Sequence, residues 1–310
     1  MTDRRSLRAY LPAPVRRTAR RIVDRVSQTI ATAPRYPDRL TIRVDDLSMQ
    51  FVTDTESVRP LFYPRYAEGR LHEEPIVRWF KRHLRADDRF LDVGSNVGFY
   101  TLLAGKICVD GVVYAVDMDC EMIHQLRRTL ALNATGPVEL FCAGLTDRCD
   151  EIVRFGEADS GDSSTNAIFE WDDISSKVES DDISSEAIAS TANAQSCLAT
   201  TTDRYAEMLG TQFDAIKIDV EGHERRVLRG MRHTLQNTRL VALELHDEVR
   251  RDEASLDEIV ELLRLVNPTM WAVQSHRHQP DWTRLENRRD WDAVQSNAMI
   301  LCHRDSAERL

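Results

Sequence analysis

Apolar and polar positions alternate along the 310-residue chain with two distinct periods. Short apolar runs of strand length occur at Phe90–Val93, Val112–Val116, Val138–Phe141, Phe213–Ile218 and Leu240–Leu245. Strands buried on both faces read as continuous apolar runs, whereas amphipathic helices show the 3.6-residue period. That second period predicts helices over Phe99–Ile107, Glu121–Leu132, Glu224–Leu235 and Asp257–Leu265. Strand–helix alternation of this kind specifies an α/β protein with a doubly wound, mostly parallel sheet and helices on both faces. Met270–Gln274 and Ala298–Cys302 read as a closing antiparallel pair.

Upstream of this core, Leu40–Val44 and Met49–Val52 alternate around Asp45-Asp46-Leu47-Ser48 and predict a hairpin. A helix over Glu74–Leu84 follows, with Ile76, Val77, Phe80 and Leu84 on one face. Three regions result: a basic arm over 1–35, a hairpin-and-helix subdomain over 36–88, and the α/β domain over 89–305. The stretch 156–200 breaks the rhythm. It holds ten Ser, ten Asp or Glu and one Lys. Such a composition buries little apolar surface, so a long loop or insertion is expected. Phe169, Trp171, Ile174 and Ile183 punctuate it and suit a lid over a ligand.

In the arm, Val15, Ala19, Ile22, Val23, Val26 and Ile30 recur at helical spacing among arginines. A basic amphipathic helix fits peripheral contact with an anionic membrane surface or a partner. The stripe is short and has no Trp or Phe anchor, which favours packing on its own domain instead. Nine arginines against Asp3 and Asp24 give residues 1–35 a charge of +7, and the remaining chain carries −17. That acidic body argues against nucleic acid as the main partner, because phosphate neutralisation needs a basic face. No apolar run has the length of a membrane span, and no secretory apolar region follows the N-terminus, so a cytoplasmic location is expected. The six cysteines include no C-x-x-C pair and read as free thiols. Asn133-Ala134-Thr135 matches a glycosylation sequon and is read as coincidental.

The chemistry concentrates in two places. In the first, Phe90-Leu91-Asp92-Val93 runs into Gly94-Ser95-Asn96-Val97-Gly98 and then a helix, and Asp117 ends the next apolar run. A strand, a tight turn at a helix N-terminus and an acid ending the next strand form the adenosine half of a nucleotide-type site. Dinucleotide folds prefer G-x-G-x-x-G, whose second glycine admits a pyrophosphate. Here a side chain stands at that position, which suits the smaller amino-acid tail of S-adenosylmethionine. The tail's carboxylate is expected at the turn's amides, its cationic end near Asp92, and the ribose hydroxyls on the two oxygens of Asp117. Asp92, Gly94, Asn96, Gly98 and Asp117 are therefore the candidate cofactor-binding residues.

In the second, the strand Phe213–Ile218 ends in alternating Lys217, Asp219 and Glu221 before Gly222 and a helix, and the adjacent strand brings Glu244 and His246. Ligands of open α/β sheets bind outside the carboxyl ends of strands, so this cluster belongs beside the first site. Asp219, His246, Glu221 and Lys217 are the candidate catalytic residues, with Asp219 and His246 first as general base. No metal is required. In one variant Asp219, Glu221 and His246 hold Mg²⁺ or Mn²⁺.

The pairing of Asp92-Val93-Gly94-Ser95-Asn96-Val97-Gly98 with Lys217-Ile218-Asp219-Val220-Glu221-Gly222 resembles the FkbM-type S-adenosylmethionine-dependent methyltransferases. The likeness extends over residues 70–250, and Thr201-Thr202-Asp203 resembles the Thr-Leu-Asp upstream of that family's Lys-Ile-Asp strand. It implies a class I, Rossmann-like methyltransferase sheet, S-adenosylmethionine as cofactor, and O-methylation of a saccharide, glycolipid or natural-product hydroxyl. One departure is Asp117-Met118, where the family has Glu followed by Pro; a shorter reach to the ribose follows. Another is the 156–200 insertion, which stands where substrate choice is set. The alternatives are an NAD-dependent oxidoreductase and a non-catalytic methyltransferase-like scaffold.

Overall fold

The computed structural model describes residues 36–55, 58–157, 166–169, 195–250, 252–274, 280–295 and 297–305. The arm 1–35 lies outside them, as do Trp171, Ile174 and Ile183 of the insertion. The order is β1 (Arg39–Val44), β2 (Leu47–Val52), α1 (Arg59–Tyr66), α2 (Glu74–His83), β3 (Arg89–Val93), α3 (Phe99–Ile107), β4 (Val112–Asp117), α4 (Cys120–Leu130) and β5 (Val138–Cys142). Next come β6 (Gly144–Leu145), β7 (Glu151–Glu157), β8 (Asn166–Phe169), β9 (Gln195–Thr200), α5 (Thr202–Leu209), β10 (Ala215–Ile218), α6 (Glu224–Arg229) and α7 (Arg232–Asn237). The chain then forms β11 (Leu240–Leu245), α8 (Asp247–Arg250), α9 (Glu253–Leu263), β12 (Met270–Gln274), β13 (Asp281–Leu285), α10 (Arg288–Asp292) and β14 (Ala298–His303).

The main sheet has eight strands in the order β13-β12-β14-β11-β10-β3-β4-β5. β5, β4, β3, β10 and β11 are parallel, and β14 inserts antiparallel between β11 and β12. The chain starts at β3, winds outward to β5, returns beside β3 as β10, and winds out the other way. The β3–β10 boundary is thus the topological switch point, where open sheets bind ligands. The five parallel strands and the β12/β14 pair agree with the apolar pattern. The edge strand β13 was not apparent from it.

Period-2 alternation sends each strand's side chains to two separate cores. Leu91, Val93, Ile216, Ile218, Val241 and Leu243 pack on one face, against residues of α6, α7 and α9. Phe90, Val113, Ala215, Leu240 and Ala242 pack on the other, against α2, α3 and the β1/β2 hairpin. The hairpin residues Met49 and Phe51 share that second core with the sheet. On this second face the strand β10 carries Lys217, the register partner of Asp92.

Four local features differ from the expectations. The helix expected over Glu224–Leu235 is two helices, broken at Gly230. There the backbone approaches its neighbour so closely that a Cβ would stand 1.9 Å from the Thr146 carbonyl oxygen. α1 was hidden by its two prolines, Pro60 in the first turn and Pro64 inside. Part of the 156–200 stretch is ordered sheet: β8 and β9 join β6 and β7 in a second, four-stranded sheet. Its small core contains Val153, Phe155, Cys197 and Ala199.

The reading of six free thiols is also corrected, because Cys120 and Cys142 form a disulfide. Cys142 is the register partner of Asp117 across β4 and β5. The chain turns after Asp117 straight into α4, whose first residue is Cys120. The two Cα atoms are thereby brought to 5.1 Å. A separation of 22 residues hides this pairing from any local motif. The side-chain nitrogen of Asn133, the sequon residue, is engaged with the carbonyls of Gln50 and Thr129 at 2.8 Å each.

Candidate active site

The first turn is built by two glycines in left-handed conformation, Gly94 (φ 74°) and Gly98 (φ 82°). A Cβ on Gly94 would lie 1.9 Å from the Asp219 carbonyl oxygen, and one on Gly98 2.1 Å from a Leu126 methyl. Close approach to β10 and α4 therefore requires glycine at both positions. The amides of Gly94 and Ser95 both donate to the Val116 carbonyl, and that of Asn96 donates to Asp117 Oδ2 at 2.7 Å. These three amides are engaged within the fold. This corrects the expectation that they receive a ligand carboxylate.

Asp117 accepts a second amide, from Asp119, on Oδ1 at 2.9 Å. Burial pushes its carboxyl up to about 6, against the two amide hydrogen bonds that favour the anion. Asp92 is 1% exposed. Its Oδ2 accepts the Thr101 hydroxyl at 2.6 Å, while Oδ1 has no partner among the described residues. The buried Ser95 hydroxyl is likewise unpartnered. Burial raises the Asp92 carboxyl, with the Lys217 charge opposing.

Two clefts meet at this turn. One, of about 780 Å³ with its solvent-open mouth included, is lined by Asp117, Met118, Gly144, Glu221 and His223. The other, about 560 Å³, is lined by Arg65, Glu73, Asp92, Ser95 and Tyr100. Gly94, Asn96 and Asp219 line both. A ligand spanning the pair thus puts its middle at Asp219. The first cleft offers a ribose acceptor beside apolar walls. The second offers both charge signs and two unpartnered polar atoms, which fits a zwitterionic tail. These residues suit S-adenosylmethionine, whose adenosine and amino-acid ends flank a sulfonium.

The second constellation assembles at the ends of β10 and β11. Lys217 Nζ donates to Asp219 Oδ2 at 2.8 Å and lies 5.1 Å from the centre of the Tyr100 ring. Burial would lower the Lys217 ammonium, but Asp219, Asp92 and Glu73 outweigh it and hold it above its ordinary range. Burial would raise Asp219, yet the Lys217 and His246 charges keep it below the ordinary carboxylate range. The backbone turns left-handed at Glu221 (φ 46°), which carries this side chain toward β11. Glu221 Oε2 stands 3.2 Å and Asp219 Oδ1 3.8 Å from His246 Nε2. On its other side, His246 Nδ1 is 2.6 Å from Glu224 Oε1. Burial disfavours the imidazolium, but the hydrogen bonds to Glu221 and Glu224 prevail and raise His246 to about 11.

The structure brings all nine candidate residues to one region. It adds two that sequence reading did not assign. Glu224, named only as the start of an expected helix, is fully buried and orients His246. Glu73 accepts the Tyr100 hydroxyl at 2.7 Å. Its left-handed backbone (φ 56°) gave no local sign, since it sits in a plain acidic pair before Pro75. Thr201-Thr202-Asp203 is architectural. Asp203 caps α7 by accepting the amides of His233 and Thr234, and Thr201 caps α5.

The Methyltransferase FkbM domain matches residues 92–268, more than half of the chain. The chain belongs to the FkbM methyltransferase family. Its cofactor is accordingly S-adenosylmethionine, and its mostly parallel sheet is of the class I methyltransferase type. Among solved structures, an FkbM methyltransferase from Methylobacillus flagellatus KT has a TM-score of 0.41 at 12% identity, covering 71% of this chain. This FkbM-family chain spans 44% of that protein's length. An S-adenosylmethionine-dependent methyltransferase from Agrobacterium tumefaciens gives 0.44 at 11% identity, covering 87% of this chain and 72% of that one. Trm5b from Pyrococcus abyssi gives 0.37 at 13% identity, over 87% and 57% respectively. Comparison with curated proteins gives no match.

Proposed function

We propose that this methyltransferase acts on oxygen, transferring the methyl group to a hydroxyl of a saccharide, glycolipid or natural-product acceptor. The observation that carries this reading is the placement of Asp219. It borders both clefts, is ionised by Lys217, and faces His246 from the neighbouring strand. The cofactor, when bound, supplies an electrophilic methyl on sulfur. Asp117 would hold the ribose hydroxyls; Asp92 and Ser95 would meet the tail. Asp219, whose Oδ2 meets Lys217 and whose Oδ1 stands 3.8 Å from His246 Nε2, would accept the proton of the attacking hydroxyl. Displacement at sulfonium needs little acid–base help beyond this, so positioning supplies much of the acceleration.

Among the described residues, no helix is long and apolar enough to cross a membrane. Against the cytoplasmic location expected from the sequence, the Cys120–Cys142 disulfide favours an oxidising compartment, where such bonds persist.

The test is incubation of the full chain with S-adenosylmethionine labelled on the methyl, together with host glycan and lipid fractions. Label on an ether oxygen of a glycan supports the reading. Label on nitrogen or a carboxylate overturns the O-methyl assignment. Cofactor binding without transfer to any fraction supports the scaffold alternative.

A further inference from the structure

We infer that Asp219, Glu221 and His246 bind a divalent cation of the Mn²⁺ or Mg²⁺ class at the mouth of the cofactor cleft. Each side chain offers one donor atom, and the three donors lie within 4.8 Å of one another. Two donors about 2.1 Å from a common ion and at right angles are separated by about 3 Å, and wider angles give more. The observed 3.2 Å from His246 Nε2 to Glu221 Oε2 and 3.8 Å to Asp219 Oδ1 fall in this range, and the Asp219–Glu221 pair, within 4.8 Å, closes on the ion by a small side-chain adjustment.

An independent observation lies behind the histidine. Metal-binding imidazoles characteristically donate their other N–H to a carboxylate, which fixes the tautomer and turns the free nitrogen toward the ion. Glu224 does this for His246, from a fully buried position. Its Oε1 also accepts the Gly222 amide at 2.9 Å, and its Oε2 has no partner. A fully buried carboxylate held against a buried imidazole is an expensive arrangement unless it serves to orient the ring.

The charge balance points the same way. Six carboxylates, Glu73, Asp92, Asp219, Glu221, Glu224 and Glu244, stand at this end of the sheet against the Lys217 ammonium; His246 would bind the ion as neutral imidazole through Nε2, releasing the proton it holds in the metal-free chain. Glu73, Asp92, Glu224 and Glu244 are each at most 6% exposed. The cofactor's tail is zwitterionic, so only its sulfonium adds net positive charge, and a divalent cation would reduce the remaining excess of negative charge. Two carboxylates and one imidazole form a hard donor set with one borderline ligand, which suits Mn²⁺ or Mg²⁺ better than a thiophilic metal. Three protein ligands leave positions open for water and for an acceptor oxygen. Only that last use rests on the function proposed above; binding of the ion does not.

Mn²⁺ itself is the probe. The full chain, freed of metal by chelation, is titrated with MnCl₂ while the spectrum of free Mn²⁺ is followed by electron paramagnetic resonance. Loss of signal saturating at one ion per chain is expected. Glu221→Gln removes it while the chain stays folded, as far-ultraviolet circular dichroism checks, because the Glu221 side chain is 40% exposed. Glu224→Gln, which keeps the shape but weakens the support of His246, lowers the affinity about 10–100-fold. No Mn²⁺ binding by the wild-type chain at millimolar concentration overturns the site, as does binding unaltered in Glu221→Gln. Calorimetry with S-adenosylmethionine on the same chelated samples separates the two proposals. Cofactor binding and methyl transfer without Mn²⁺ binding removes the metal and leaves the methyltransferase. Mn²⁺ binding lost in Glu221→Gln upholds the site, even where no fraction accepts a methyl group.

Discussion

Lys217 donates from Nζ to Asp219 Oδ2 at 2.8 Å and is the register partner of Asp92 on β3. One buried ammonium thus answers two carboxylates from different strands at the switch point of the sheet. Removing one member of a buried pair leaves the other charged and unpaired, which destabilises more than the intact pair stabilises. Lys217→Met should therefore cost about 3 kcal/mol, the lower end for buried pairs because Asp219 keeps some exposure. Urea denaturation measures it. A loss below about 1 kcal/mol would mean the carboxylates shed their charge instead of suffering it.

Asp117 gives a pH-dependent prediction. Only its ionised form can accept hydrogen bonds from both ribose hydroxyls on top of the two amides. With its carboxyl at about 6, cofactor affinity should fall roughly tenfold per pH unit below 6 and be flat above 7. Asp117→Asn should bind weakly throughout and lose that slope, as read by calorimetry. The effect on folding has the opposite sign. The folded-state value lies above the unfolded value of 3.8, so the native state holds the proton longer. This stabilising contribution is complete below pH 3.8 and is lost as pH rises through 6.

Much of this site was legible because it is local in sequence. Asp92 to Gly98 and Lys217 to Gly222 are continuous segments whose apolar runs declare a strand and whose glycines declare a turn. Glu224 was visible, but its role was not, because its partner His246 lies 22 residues away on the next strand. Glu73 came from outside the expected domain, brought in by the packing of α2 on α3. The disulfide and the second sheet were hidden for related reasons. Cys120 and Cys142 meet only through the β4–β5 pairing. β8 and β9 lie in polar sequence, and in β9 Cys197 and Ala199 are the buried positions. What the residues themselves encode is periodicity and turn chemistry; which distant side chains meet is set by strand order.

His83 predicts a second pH window, away from the site. Its ring lies 4.7 Å from that of His303, and its Nε2 is buried without a partner. Burial, with the charges of His303, Arg82 and Arg239, lowers it to about 4. The unfolded chain takes up this proton near 6.5, before the folded chain does. The resulting stability is full above 6.5 and is lost as pH falls toward 4. His83→Leu should flatten the decline of the thermal midpoint over that window. An unchanged slope would assign the acid response to other groups.

The disulfide makes the last prediction. Cys120 begins α4 and Cys142 ends β5, so the bond ties together the two segments leading to Met118 and Gly144 in the first cleft. Closing a loop of this length removes conformational freedom from the unfolded chain and stabilises by about 3 kcal/mol. A reductant should lower the unfolding free energy by that much in the wild-type chain, as read by urea denaturation, and do nothing further in Cys120→Ser or Cys142→Ser. Cofactor affinity should drop in parallel, because the wall facing Asp117 loses its tie to α4. If reduction changed stability but left affinity untouched, the bond would belong to the fold alone and the cleft would be held by β4 and β5 without it.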